Sequence, residues 1–207
     1  MKITRKMTDA CIWLLVLVGC LGTATTLRAA AVTYTFTATG SGTIGTTGFT
    51  NALVTITAIG DTSTVAEAPQ PTFPPNVFFN APPQFNVSIS GVGTATFTGT
   101  NSFFGGHGYV FDNENSSFAG FGVESDHGDI SNSAFATYDL RSSIGPLSGV
   151  SMSFSNEATS LGSLSLTTVT DGTFTAVVSS APEPATAGMA ALALAVAALI
   201  RRKRTPV

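Results

Sequence analysis

Along the middle of the chain, apolar and small polar residues alternate with period two, the pattern of half-buried β-strands. Val32, Tyr34, Phe36 and Ala38 share one face, with Thr33, Thr35 and Thr37 on the other. The alternation returns at Val54, Ile56 and Ala58; at Phe85, Val87 and Ile89; at Ala95 and Phe97; at Ala136, Tyr138 and Leu140; and at Val150, Met152 and Phe154. Threonine on the wet face favours an extended backbone without adding charge. No segment between residues 32 and 180 repeats at the helical period. Many short strands punctuated by glycine predict an all-β domain, an antiparallel β-sandwich or jelly-roll-like fold.

Two details refine this expectation. Asp171-Gly172 predicts a two-residue hairpin turn that pairs Val169 with Phe174. Strict pairing would then turn Leu164 and Leu166 to the wrong face, so a β-bulge is expected near Thr167-Thr168. Two stretches interrupt the alternation. Residues 68–84 hold six prolines and read as a long loop that cannot be a central strand. Their rings, Phe73, Phe78 and Phe79, either tuck the loop onto the domain or form an exposed aromatic surface, and the first reading is preferred. Residues 105–128 read as irregular.

The two ends follow a different pattern. A basic start, Lys2, Arg5 and Lys6, precedes an apolar run from Ala10 to Gly22, and small residues end in Ala29-Ala30-Ala31. This is the pattern of a secretory signal peptide over 1–31, with Ala29 and Ala31 filling the small pockets of signal peptidase. Leu17-Val18-Gly19-Cys20 also resembles a lipobox, which leaves lipidation of Cys20 open. At the other end, Ala181-Pro182-Glu183-Pro184 leads into an uncharged run from Ala185 to Ile200, then Arg201-Arg202-Lys203-Arg204. Sixteen helical residues reach about 24 Å at ~1.5 Å each, short of a ~30 Å hydrocarbon core. The run therefore predicts a single, weak transmembrane helix. The four basic residues stay cytoplasmic and leave the domain at 32–180 outside. Pro182 and Pro184 keep the junction extended and accessible.

Charge is distributed as sharply as hydropathy. Eight of the nine basic residues lie in the two ends, and Arg141 alone faces ten acids between residues 32 and 180, a formal charge of −9 for that stretch. So acidic a surface repels nucleic acid and attracts cations. Both cysteines, Cys11 and Cys20, precede the domain, so it folds without disulfides; about 150 residues bury enough surface to do so.

The order Pro-Glu-Pro, short apolar helix and Arg-rich end over 181–204 resembles the PEP-CTERM sorting signal. The resemblance implies recognition at Pro182, Glu183 and Pro184 by an exosortase, an integral-membrane cysteine protease, after passage through the inner membrane. It also implies an exported protein of bacteria that make extracellular polysaccharide, hence contact with such a polymer at the cell surface or in the extracellular matrix. The opening Tyr34 to Gly42 and the stretch Leu140 to Gly149 are similar to β-rich domains found ahead of other such tails, which transfers no site.

Candidate chemistry is sparse. His107 and His127 are the only histidines. There is no Gly-x-Ser-x-Gly elbow, and neither cysteine nor histidine spacing suits zinc. Asp112, Glu114, Glu124, Asp126 and Asp129 offer hard oxygens of the kind calcium takes, although no EF-hand order is present. Three functions follow. The first is a non-enzymatic surface or matrix protein. The second is a calcium-dependent carbohydrate-binding module, if the acidic loops and the Phe-bearing loop meet. The third is a secreted hydrolase built on Glu124 to Asp129, if a cleft joins two carboxylates.

Overall fold

The computed structural model describes residues 30–101, 106–124 and 126–179. The signal-peptide residues through Ala29, the Pro182-Glu183-Pro184 motif, the apolar run and the basic end lie outside these. Among the described residues no helix is long and apolar enough to cross a membrane.

The all-β expectation holds, but the two stacked sheets do not. Among the described residues eleven strands form one antiparallel sheet. In chain order they are β1 (Ala31–Ile44), β2 (Thr47–Asp61), β3 (Ala66–Glu67), β4 (Val77–Asn80), β5 (Phe85–Ile89), β6 (Gly93–Thr96), β7 (Gly108–Asn113), β8 (Phe118–Val123), β9 (Asp126–Ser131), β10 (Ile144–Thr159) and β11 (Gly162–Val178). Their order in space is β3-β4-β7-β8-β9-β10-β11-β1-β2-β5-β6. The sheet curls into a half-barrel because β10 serves both arms. Ser151–Ser153 pairs with β9, while the rest of the strand pairs with β11 through several register shifts. The curl is drawn closed at one side, where Phe97 bridges Thr159 and Thr98 N–H donates to Ala158 O at 2.9 Å.

The core lies inside the curl. Phe36 on β1 meets Phe121 on β8, four strands away in the sheet, with ring centroids 4.4 Å apart. Phe174, Phe85 and Phe154 extend this ring cluster. Each such side chain, fully buried, contributes roughly 1.5–3 kcal/mol. The inward positions expected from the alternation in β1, β2, β5 and β10 are all buried.

Elsewhere the pattern misled. Ala136, Tyr138 and Leu140 do not form a strand. Ser133–Thr137 is a 3-10 turn capped by Asn132, whose Oδ1 accepts from Ala134 N–H at 3.0 Å. Its three-residue period buries Phe135 and Tyr138 and leaves Ala136 exposed. Asp171-Gly172 is not a turn either. Both residues sit inside β11, opposite Ala38, as a bulge with Asp171 at φ 52°. A left-handed residue followed by glycine suits a bulge as well as a tight turn, and the turn itself falls at Ser160-Leu161. The second bulge, at Thr167 against β1, is where the sequence places it. With both bulges, Leu164 and Phe174 share the core face. The described part of residues 105–128 is not irregular but supplies β7, β8 and part of β9. Residues 68–84 contain β4, an interior strand, between two clusters of proline.

Candidate functional site

β7 and β8 present opposite chemistries on their two faces. Gly108, Val110 and Asp112 point into the curl, and Tyr109, Phe111 and Asn113 point outward. In register beside Tyr109 and Phe111 on β8 are Gly122 and Gly120. A Cβ on Gly122 would meet the Tyr109 ring at 2.6 Å, and one on Gly120 the Phe111 ring at 2.9 Å. The rings therefore lie across bare backbone, covering glycines that no side chain protects.

On the other side, β4 adds Val77 and Phe79, and the proline-rich loop folds Phe73 and Pro74 over them. Phe73 stands edge-on to Phe79 at 5.4 Å. Phe79 lies 5.8 Å from Tyr109 and 6.2 Å from Phe111, which are 5.9 Å from each other. These residues and Asn113 line an outward-opening pocket of about 230 Å3. Among the described residues no charged side chain lines it, and Asn113 Oδ1 is buried there without a hydrogen bond to them. The loop is held by Asn76 N–H donating to Glu67 Oε1 at 3.0 Å and by Glu114 N–H donating to Asn76 O at 3.1 Å. The preferred reading of the loop rings, packing onto the domain, covers Phe79, which is buried. Phe78 turns inward beneath Arg141, whose guanidinium lies 5.7 Å from the ring centroid. Phe73 is half-buried at the pocket wall. Tyr109, Phe111 and Asn113 escaped the sequence reading, although their alternation matches the Gly120/Gly122 alternation across the hairpin.

The inner face carries a polar cluster. Tyr34 O–H donates to Leu140 O at 3.0 Å, and Asn80 Nδ2 donates to Tyr34 Oη at 2.9 Å. Thr64 O–H donates to Asn80 Oδ1 at 3.0 Å. Asp112 is fully buried nearby, and neither carboxyl oxygen is hydrogen-bonded. Burial first, and the negative charges of Glu114 and Asp139 second, push its pKa up to about 8, so it is a neutral acid at pH 7. Burial likewise raises the Tyr34 and Tyr138 hydroxyls above the ordinary range.

The five candidate calcium ligands are not brought together. Asp112 faces the core. Glu114 caps the far end of the β7–β8 hairpin. Glu124 and Asp126 flank the β8–β9 turn at the opposite end, and Asp129 lies mid-strand on the outer face. Glu124 Oε2 accepts from Ala158 N–H at 3.2 Å, and Asp126 Oδ2 accepts from Ser155 N–H. Among the described residues no group of three or more His, Cys, Asp or Glu could hold a metal ion. His107 Nδ1 bonds Gly99 O at 2.9 Å. His127 lies 3.8 Å from Asp129, and its side chain is 62% exposed. Ser153 pairs with it in register, on the open outer face of the sheet.

The two ends of the domain meet. Val32 pairs with Val178, and Ser179 N–H and Oγ–H both donate to Ala31 O, at 2.9 and 3.0 Å. The chain therefore enters and leaves the domain at one pole of the sheet. Immediately after that pole, residues 180–204 match the PEP-CTERM protein-sorting motif. The chain thus carries a PEP-CTERM sorting motif, which implies exosortase-dependent sorting of an exported protein and supports membrane anchoring in transit. Neither a curated protein nor a solved structure matches it.

Proposed function

We propose that this protein is a non-enzymatic component of the bacterial cell surface. A signal peptidase releases its N-terminus after Ala31. Its tail holds it in the inner membrane through the segment 185–200 until an exosortase cuts near Pro182-Glu183-Pro184. The single observation that carries this reading is the sorting motif at 180–204, joined directly to the last strand of a folded acidic domain.

The pole arrangement suits display. β1 and β11 run 14 and 17 residues away from the anchored end, roughly 45 Å at ~3.3 Å per residue. Their hairpin tips, at Gly45-Thr46 and Ser160-Leu161, stand at the other end of these strands from the Val32–Val178 pair. The tips touch: a Cβ on Gly162 would lie 2.7 Å from Gly45 Cα. In favour of a non-catalytic role, Glu124 and Asp126, the best-placed hydrolytic candidates, are occupied as acceptors for backbone N–H groups.

The test is the intact mass of the protein recovered from its native envelope and medium. A species that starts at Val32 and ends near Pro182 to Pro184 is expected. A lipid-modified Cys20 start with Arg201 to Val207 retained would overturn the processing scheme.

A further inference from the structure

We propose that Ala30 and Ala31 form a strap that holds the end of the last strand shut, so that loss of the signal peptide licenses the cut at the sorting motif. This rests on the reading above, in which signal peptidase cuts after Ala31 and an exosortase cuts near Pro182-Glu183-Pro184.

The strap is tied on both sides. Towards β2, Thr62 N–H donates to Ala30 O at 2.9 Å, and Ala30 N–H donates to Thr62 Oγ1 at 3.2 Å. Towards β11, Ala31 O accepts from Ser179 N–H at 2.9 Å and from Ser179 Oγ–H at 3.0 Å. Both donors of Ser179 thus end on one carbonyl oxygen. Ser179 is exposed, so no apolar burial helps to hold it.

That oxygen belongs to the departing segment. Hydrolysis of the Ala31–Val32 bond consumes one water. The Ala31 carbonyl becomes the carboxylate of the released peptide, and Val32 keeps the ammonium. Ser179 then loses both partners. The nearest hold left on β11 is Val178 N–H, which donates to Ser143 Oγ at 2.9 Å. The same geometry guards the first bond. Val32 is fully buried and paired with Val178 and Gly60, so signal peptidase reaches it only while β11 is open. The strap therefore forms in chains that close before the first cut.

Distance gives the strap its effect. Only the five residues 180–184 separate Ser179 from the apolar run at Ala185, and five residues reach at most about 18 Å. Three of them are Pro182, Glu183 and Pro184. A protease takes an extended segment clear of folded structure. With Ser179 pinned, the domain stands against the protease where the free chain is shortest. Strand ends held by few bonds open most easily, and losing two such bonds raises the open population about tenfold. A chain that keeps its signal peptide stays strapped and keeps its tail.

The test follows tail removal from the full chain in its native cells, by pulse-chase with intact mass. Ala29→Arg blocks signal peptidase and leaves the Ala31 carbonyl in place. It should slow tail removal about tenfold. Ser179→Pro removes both donors and should restore the parental rate in the Ala29→Arg chain. A Gly-Ser-Gly-Ser insertion after Ser180, which leaves the domain untouched, should restore it too. The proposal fails if the Ala29→Arg chain loses its tail as fast as the parent. It also fails if the insertion, or a folded Ser179→Pro chain, leaves removal slow. A processed parent that retains Ala31 would overturn the signal-cleavage reading, and one that keeps Arg201 to Val207 would overturn the exosortase reading. The strap falls with either.

Discussion

The two arms of the curled sheet solve the same packing problem with different residues. The arm of β11, β1, β2 and β5 is long and regular. Its inner face is Val, Ile, Leu, Phe and Ala with Tyr34, whose hydroxyl is hydrogen-bonded, and its outer face is Thr35 beside Thr57 and Thr175, and Thr37 beside Thr55 and Thr173. The arm of β4, β7, β8 and β9 is built of strands of four to six residues. It puts an aspartic acid inside, at Asp112, and aromatic rings outside, over glycine. The first arm is optimised for burial. The second carries an outward aromatic cluster and keeps an aspartic acid in the core. The difference teaches that period-two burial governs the first arm, whereas ring-on-glycine packing and a buried acid shape the second.

The contrast can be tested by where truncation hurts. Phe36→Ala, at the centre of the curl, should cost about 3–5 kcal/mol in chemical denaturation. Phe73→Ala, half-buried on the other arm, should cost about 1 kcal/mol or less. Equal costs would mean that the aromatic loop is core rather than surface.

Asp112 sharpens the comparison through pH. Its folded pKa of about 8 lies above the ~3.9 of an unfolded aspartate. Between these values the folded chain holds a proton that the unfolded chain releases. The contribution of Asp112 to stability is therefore greatest below about pH 4, falls as pH rises, and levels off above about 8. Asp112→Asn should flatten this slope and add about 2–3 kcal/mol at pH 8.5, read from urea midpoints across the range. An unchanged slope would place the titration elsewhere.

Smaller effects complete the series. Gly122→Ala drives a methyl group into the Tyr109 ring and should cost about 1–2 kcal/mol. It should also change the Tyr109 fluorescence or its ring signals. Thr57→Val, on the outer face of the first arm, should stay within about 0.5 kcal/mol. A larger loss there would show that the threonine face does more than shed water.

The same contrast explains what could be read from the chain. In β1, β2, β5 and β10 an apolar residue every second position is enough, because one face is buried and the other wet. In β7 and β8 the signal fails. Tyr109 and Phe111 are outward aromatics, Gly120 and Gly122 are outward glycines, and Asp112 is an inward acid, so hydropathy no longer reports facing. Asp171-Gly172 was ambiguous for another reason: one left-handed residue and a glycine serve a turn or a bulge, and only the strands alongside decide.

By itself, then, the sequence determined the all-β class, most inward positions of the long strands, the bulge at Thr167 and the sorting motif at the C-terminus. These depend on local period or on a short linear pattern read by another protein. Only the tertiary structure decided that one sheet curls instead of two stacking, because that rests on β10 pairing with β9 and β11 at once. It alone separated Asp112 from Glu124, Asp126 and Asp129, and it alone gathered Phe73, Phe79, Tyr109, Phe111 and Asn113. Those five span 41 positions along the chain, and what joins them is the β4–β7 register, a long-range pairing that no local pattern encodes.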